Sequence, residues 1–393
     1  MVNDAEIEIS KYFQDKSLDL RRDKFSRFMD QKVTPDVLSF IAECILNLPE
    51  EKKEFVVKDI WDLSYFIKNA MAVFNKPNPT NKAAKHEYDK FIQQPLRMLF
   101  YAGILDSRKE RRSNVYKILK KDFLEYISIK ERNAYLFLYH YLINVLDNSG
   151  FLRYLKLFEE RNNADGYKLL KKKFIDFIKG NTNINGNIEV CRIFPKVLNI
   201  YSAYNGIKGS EKGYISKNTY HFSDLMYNKV NFRDINKDKS LTRQESLIDE
   251  EPNENYSNYL IERAKNTIKR MYVESEIKDG YGVGNAIHVH HIFPSSEFPK
   301  LAYYLENLIN LTADQHLNHA HPHGNTHSID RDYQLVCLLA KSESIEKSIN
   351  YGRGVYTLPN FIFVINTGLN VDISQNFSLK EIRVAINKIY NSS

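Results

Sequence analysis

The chain has 393 residues, 43% of them hydrophobic and 27% charged, enough for two or three domains that each bury a core. No stretch approaches the roughly 18 consecutive apolar residues of a membrane span, and MVNDAEIEISKYFQDKS has no basic leader followed by an apolar core, so a cytoplasmic protein without a membrane partner is expected. Three cysteines (Cys44, Cys191 and Cys337), odd in number and far apart, support neither a disulfide framework nor a cysteine zinc site; the net charge of +7 permits an anionic partner without demanding one.

Residues 1–50 read as amphipathic helices, with Thr34-Pro35-Asp36 as a start signal and Pro49 as a stop. Residues 51–130 follow the order helix, polar loop, helix, basic hairpin, closing helix. That order resembles a winged helix-turn-helix, in which one helix enters the major groove and the wing touches the backbone. Arg108, Arg111 and Arg112 would then sit in the wing; an ordinary helical subdomain with a basic turn is the alternative. Residues 131–185 are helical, their aromatics spaced for core packing, and Asn181–Asn187 marks a boundary. In 186–250, glycines 206, 209 and 213 alternate with Lys208, Lys212 and Lys217, and Arg233 and Arg243 continue the basic character, a pattern suited to phosphate contact or to a flexible loop. The acidic stretch Asp249–Asn258 reads as a linker and YLIERAKNTIKRMYVESEI as a long helix whose basic residues form a solvated face. YTLPNFIFVINTGL, within the extension 351–393, reads as one or two strands.

Eight of the eleven histidines lie between His288 and His327. Imidazoles titrate near neutrality and are costly to bury without partners, so such a cluster points to metal binding, proton transfer or both. IHVHHIF reads as a strand, ENLINLT as a second extended segment and TADQHLNHAH as a helix. This order brings His290 and His291 to Asn307, 16 residues beyond His291, and to His316, nine further on.

HHIFP at 290–294, ENLINL at 306–311 and His316 together resemble the HNH nucleases, whose core is a ββα-metal unit. The resemblance implies an α+β fold, mostly helical, with a C-terminal ββα core within 259–350. It implies that His290 and His316 are metal ligands, His291 is the general base and Asn307 ties the loop to the strand and orients that base. Thr312 and Gln315 stand where many members have cysteines, so no structural zinc is expected. Ala320 occupies the position of a third histidine ligand, leaving His319 or His321 to substitute there or to contact phosphate, with His288 as a support. The implied cofactor is Mg²⁺, with Mn²⁺, Co²⁺, Ni²⁺ or Zn²⁺ as more readily bound substitutes. The implied activity is hydrolysis of duplex DNA, most like a type II restriction endonuclease with a methyltransferase as genetic partner and a homodimer as one route to a double-strand cut. Homing, toxin-like and modification-dependent nucleases, and a non-catalytic DNA-binding regulator, are the alternatives.

Overall fold

The computed structural model describes residues 4–74, 78–80, 85–227, 254–282, 284–321, 329–352 and 354–391, of which 4, 85–87 and 254 in backbone only. The protein is mostly helical, with three small antiparallel sheets among the described residues, and its contacts divide it into two compact units, Glu6–Glu251 and Pro252–Ser393 together with Met1–Ala5.

The first unit contains α1 (Asp4–Gln14) from Glu6 onward, α2 (Leu20–Asp23) and α3 (Pro35–Leu46). Pro35 opens α3 where a backbone N–H would lack a partner, and eleven of its twelve residues are buried. Strand β1 (Glu54–Phe55), helices α4 (Val57–Trp61), α5 (Ser64–Phe74) and α6 (Lys85–Tyr101), and the hairpin β2 (Leu105–Glu110) and β3 (Ser113–Ile118) follow. The sheet order is β1-β3-β2, so the hairpin is extended by the short strand that precedes the helices. Arg111 takes a left-handed backbone (φ 52°) to close the hairpin between Glu110 and Ser113.

Helices α7 (Lys121–Ile129), α8 (Glu131–Asn148), α9 (Leu152–Glu160), α10 (Ala164–Asn181) and α11 (Asn187–Asn205) form the rest of the core. The Asn/Gly stretch at 181–187 is a turn between α10 and α11, which pack on each other inside this unit, and marks no division between units. The glycine/lysine segment is ordered as well. It forms the hairpin β4 (Lys208–Glu211) and β5 (Tyr214–Thr219), held to α11 by Asn199, whose amide donates to and accepts from the Ser210 backbone.

The second unit starts with α12 (Glu254–Met271), so the second half of the expected linker is helical. Strands β6 (His288–His291) and β7 (Leu308–Leu311) pair antiparallel, and a π-helical turn, Gln315–Ala320, follows. Three helices complete the unit: α13 (Arg331–Asn350), α14 (Leu358–Leu369) and α15 (Leu379–Asn391). The strand expected around 356–369 is therefore a helix. Thr357 caps it by accepting from Asn360 N, Pro359 fits its first turn, and Phe361, Ile362, Val364 and Ile365 bury one face. Phe293, in the loop after β6, approaches α14 so closely that a Cβ at Gly368 would lie 2.5 Å from its ring, so α14 is part of this unit's core.

A fully buried ion pair anchors α13. Lys341 Nζ donates to both Glu276 oxygens (3.0 and 2.7 Å) and to the Tyr356 hydroxyl (3.0 Å), while Glu276 Oε1 accepts from Asn310 N on β7 (3.0 Å). Removing one partner leaves the other as an uncompensated buried charge, so Lys341→Ala is expected to cost about 3–5 kcal/mol, read as a lower denaturant midpoint.

Candidate metal centre

The alternation of β6 sorts its histidines. His288 and His290 point to one side and His291 to the other, with His290 opposite Ile309 and His291 opposite Leu308 on β7. On the first side, His290, His316 and His321 converge until one ring nitrogen of each lies within 4.8 Å of the others. His290 is 3% exposed. Its Nε2 and the Nδ1 of His316 are buried and have no hydrogen-bond partner among the described residues. Two orphaned buried nitrogens beside a third imidazole are costly unless a cation takes their lone pairs.

The π-helical turn decides which histidine completes the set. In an α-helix the residue that shares a face with His316 is four positions on, which is Ala320. A π-helix closes i→i+5, and the residue brought round is His321. His319 is turned elsewhere and stacks on Tyr281 (ring centroids 3.8 Å apart), with Tyr333 at 5.9 Å. His288 stacks flat on His316 (4.9 Å, 13°) and stays outside the three-nitrogen set.

Thr312 and Gln315 hold the turn by hydrogen bonds. Thr312 N donates to Gln315 Oε1 (3.1 Å), and Gln315 N donates to Thr312 Oγ1 (3.2 Å). Gln315 Nε2 reaches Asp279 (2.8 Å), and Thr312 Oγ1 reaches the Tyr281 carbonyl (3.0 Å), so this segment is tied to the turn before β6 without sulfur ligands.

On the other side of β6, a ring nitrogen of His291, Nε2, lies 2.9 Å from the Ala302 carbonyl oxygen. A carbonyl only accepts, so the neutral ring carries its proton on Nε2 and leaves Nδ1 with a free lone pair. The loop that supplies this carbonyl is pinned by Asn307, which is fully buried. Its Oδ1 accepts from Phe293 N (2.8 Å), and its Nδ2 donates to Phe293 O (3.0 Å) and Leu301 O (3.1 Å). Asn307 thus holds both ends of the loop that orients His291, and touches neither the imidazole cluster nor His291 through any of these bonds.

Every cause acting on these rings favours the neutral form except one hydrogen bond. Burial, then the other imidazoles and Lys265, hold His290 well below the ordinary histidine value. Burial, then His321, His288 and Lys265, bring His316 down to about 4. Burial and Lys265 bring His291 down to about 4 against the opposing bond to Ala302. Neutral imidazoles are what a metal needs, and three of them with no carboxylate in the set suit the borderline ions Co²⁺, Ni²⁺ and Zn²⁺ best, and Mn²⁺ better than Mg²⁺.

Of the residues expected to touch nucleic acid, Arg108, Arg111, Arg112, Lys208 and Lys212 lie in the first unit and do not share one environment. Arg108 pairs with Glu54 (3.0 Å) and Glu110 (3.1 Å), all three on the surface. Arg111 and Arg112 stand exposed at the hairpin tip, Lys212 is exposed at the β4–β5 turn, and Lys208 is half-buried on β4. Arg233 and Arg243 lie outside the described residues, as do His323 and His327. Sequence reasoning missed Lys265: the segment 263–270 is no solvated face, since Arg263, Ala264, Thr267 and Ile268 are buried and Lys265 is half-buried. A charge cluster on a helix shows no phase until its partner surface is known. Comparisons with protein-family models, with curated proteins and with solved structures find no match.

Proposed function

We propose that this protein is a metal-dependent nuclease of the HNH kind, acting on duplex DNA. The observation that carries the reading is the convergence of His290, His316 and His321 on one side of β6 while His291, on the other side, keeps a free Nδ1 lone pair. A divalent ion held by the three imidazoles would stabilise charge on the phosphorane and on the departing 3′ oxygen. His291 Nδ1 takes the proton of the attacking water as its oxygen bonds to phosphorus and the P–O3′ bond breaks, and the departing 3′ oxygen takes a proton from solvent water, giving 5′-phosphate and 3′-hydroxyl ends. Asn307 keeps the Ala302 carbonyl in place and so fixes the His291 tautomer.

Duplex DNA as the substrate is supported by the first unit. Its element order, α3–β1–α4/α5–α6–β2–β3 with sheet order β1-β3-β2, matches a winged helix-turn-helix, with α3 as its first helix and Arg111 and Arg112 at the tip of the wing. A DNA-reading first unit in the same chain as a nuclease core favours a restriction endonuclease over a non-specific DNase. One such site cuts one strand, so a double-strand break requires two copies or two successive nicks.

The test is digestion of long unmethylated duplex DNA with Mn²⁺ or Mg²⁺. Discrete bands, stronger with Mn²⁺, are expected. A smear would retain the nuclease and remove the restriction reading; tight binding without cleavage would point to a regulator.

A further inference from the structure

Tyr281 lies in the turn before β6 and is 50% exposed, yet its backbone is fixed. Its N–H donates to Asp279 Oδ1 (2.9 Å), and its carbonyl accepts from Thr312 Oγ1 (3.0 Å). Asp279 in turn accepts from Gln315 Nε2 (2.8 Å) and from the Tyr333 hydroxyl (3.2 Å), which joins α13 to the same turn. Gly282 allows the close approach: a Cβ there would lie 2.8 Å from the Ile277 carbonyl oxygen and 3.1 Å from Gln315 Nε2. The Tyr281 ring stacks on His319, with centroids 3.8 Å apart and planes at 30°, and His319 has Tyr333 at 5.9 Å. His319 belongs to the π-helical turn that carries His316 and ends at His321. The stacked pair and two of the three converging imidazoles are therefore built on one short piece of backbone.

A tyrosine that only sealed this turn would bury its ring against it. Tyr281 covers His319 with one face and keeps half of its surface open. A ring carried on backbone held this firmly loses little freedom when a second flat group stacks on it. The neighbouring metal centre says which flat group that is. A phosphodiester held there carries nucleobases on both sides, and every base has a π-face. A paired base inside a duplex is already stacked on its neighbours, so only a base that has left the stack can lie on the tyrosine. We propose that Tyr281, backed by His319, is a stacking platform for an unpaired nucleobase of the strand whose phosphate the metal holds. The substrate near the cut is then an opened strand, in a single-stranded stretch or at a locally unpaired step of the duplex. This rests on the phosphodiester hydrolysis proposed for the same site, and gives that reading its base-binding group.

The test uses the full-length chain carrying His291→Ala, which keeps the three imidazoles and prevents cleavage during a titration. Mn²⁺ is titrated first. Single-stranded hexathymidylate and an abasic deoxyribose-phosphate oligomer of the same length and charge are then titrated into the Mn²⁺-loaded protein. Thymine is the base used because it offers no N7 to the ion. Adding Tyr281→Leu removes the π-face and keeps an apolar side chain; it is expected to weaken hexathymidylate binding about tenfold and to leave the abasic oligomer and Mn²⁺ bound as before. Tyr281→Trp is expected to bind hexathymidylate at least as tightly as tyrosine does. Unchanged hexathymidylate affinity in Tyr281→Leu would overturn the platform and leave the metal site standing. Equal weakening of both oligomers, or loss of Mn²⁺, in Tyr281→Leu would overturn it in favour of a structural role. No Mn²⁺ binding with Tyr281 in place, or binding of neither oligomer, would overturn the phosphodiester reading itself, and this proposal with it.

Discussion

His291→Ala is expected to lower the DNA cleavage rate by about 10²–10⁴-fold while leaving divalent-metal affinity and DNA affinity close to wild type. The separation of effects comes from β6. His291 projects away from the side on which His290, His316 and His321 meet, so its removal takes nothing from the three-nitrogen set. Its ring bonds to a loop carbonyl, and that loop is held independently by Asn307, so the loop should survive the truncation. A base acts in the transition state, not in ground-state binding, which is why rate and affinity part. Single-turnover cleavage beside a gel-shift and a metal titration would check this. Equal cleavage would remove His291 as the base, and joint loss of metal binding would place it among the ligands.

Acid should destabilise the metal-free protein between about pH 6.5 and pH 4. The folded protein keeps His290, His291 and His316 neutral below the ordinary histidine value, two of them down to about 4. The unfolded chain takes up protons on these rings near 6.5. Across that window the unfolded state binds more protons, so stability is full above the unfolded value and is lost as pH falls towards the folded one. Saturating Mn²⁺ adds stability at neutral pH and steepens this fall, because protons compete with the ion for the same nitrogens. Thermal unfolding at several pH values, with and without Mn²⁺, would show both slopes. A midpoint that stays flat from neutrality to pH 4.5 would mean the imidazoles are not held neutral.

Much of the site was legible because strands and spacing carry it. The β-branched, histidine-rich run at 287–293 and the extended run at 308–311 are short and bounded by turn signals, and they pair as the periodicity suggests. What escaped depends on backbone detail that spacing cannot reveal. Counting four residues per helical face leads from His316 to Ala320 and leaves His319 and His321 as equal substitutes, whereas the π-helical turn decides for His321. Aromatic and β-branched density made 356–369 look like strand, although Thr357 and Pro359 are helix-start signals and tertiary burial of one face overrides the propensity. The charge-rich segments were the least legible: Arg108 pairs with carboxylates on its own sheet, and Lys265, in a segment read as solvated, is half-buried.

The proposed function stands on three imidazoles taking one ion, and Co²⁺ titrated into the metal-free full-length chain measures this most directly. The expected result is one Co²⁺ per chain, with little proton release at pH 7 because the rings are already neutral, and loss of binding in His316→Ala but not in His291→Ala. No saturable binding by wild type, or binding that persists in His316→Ala, would contradict the metal centre.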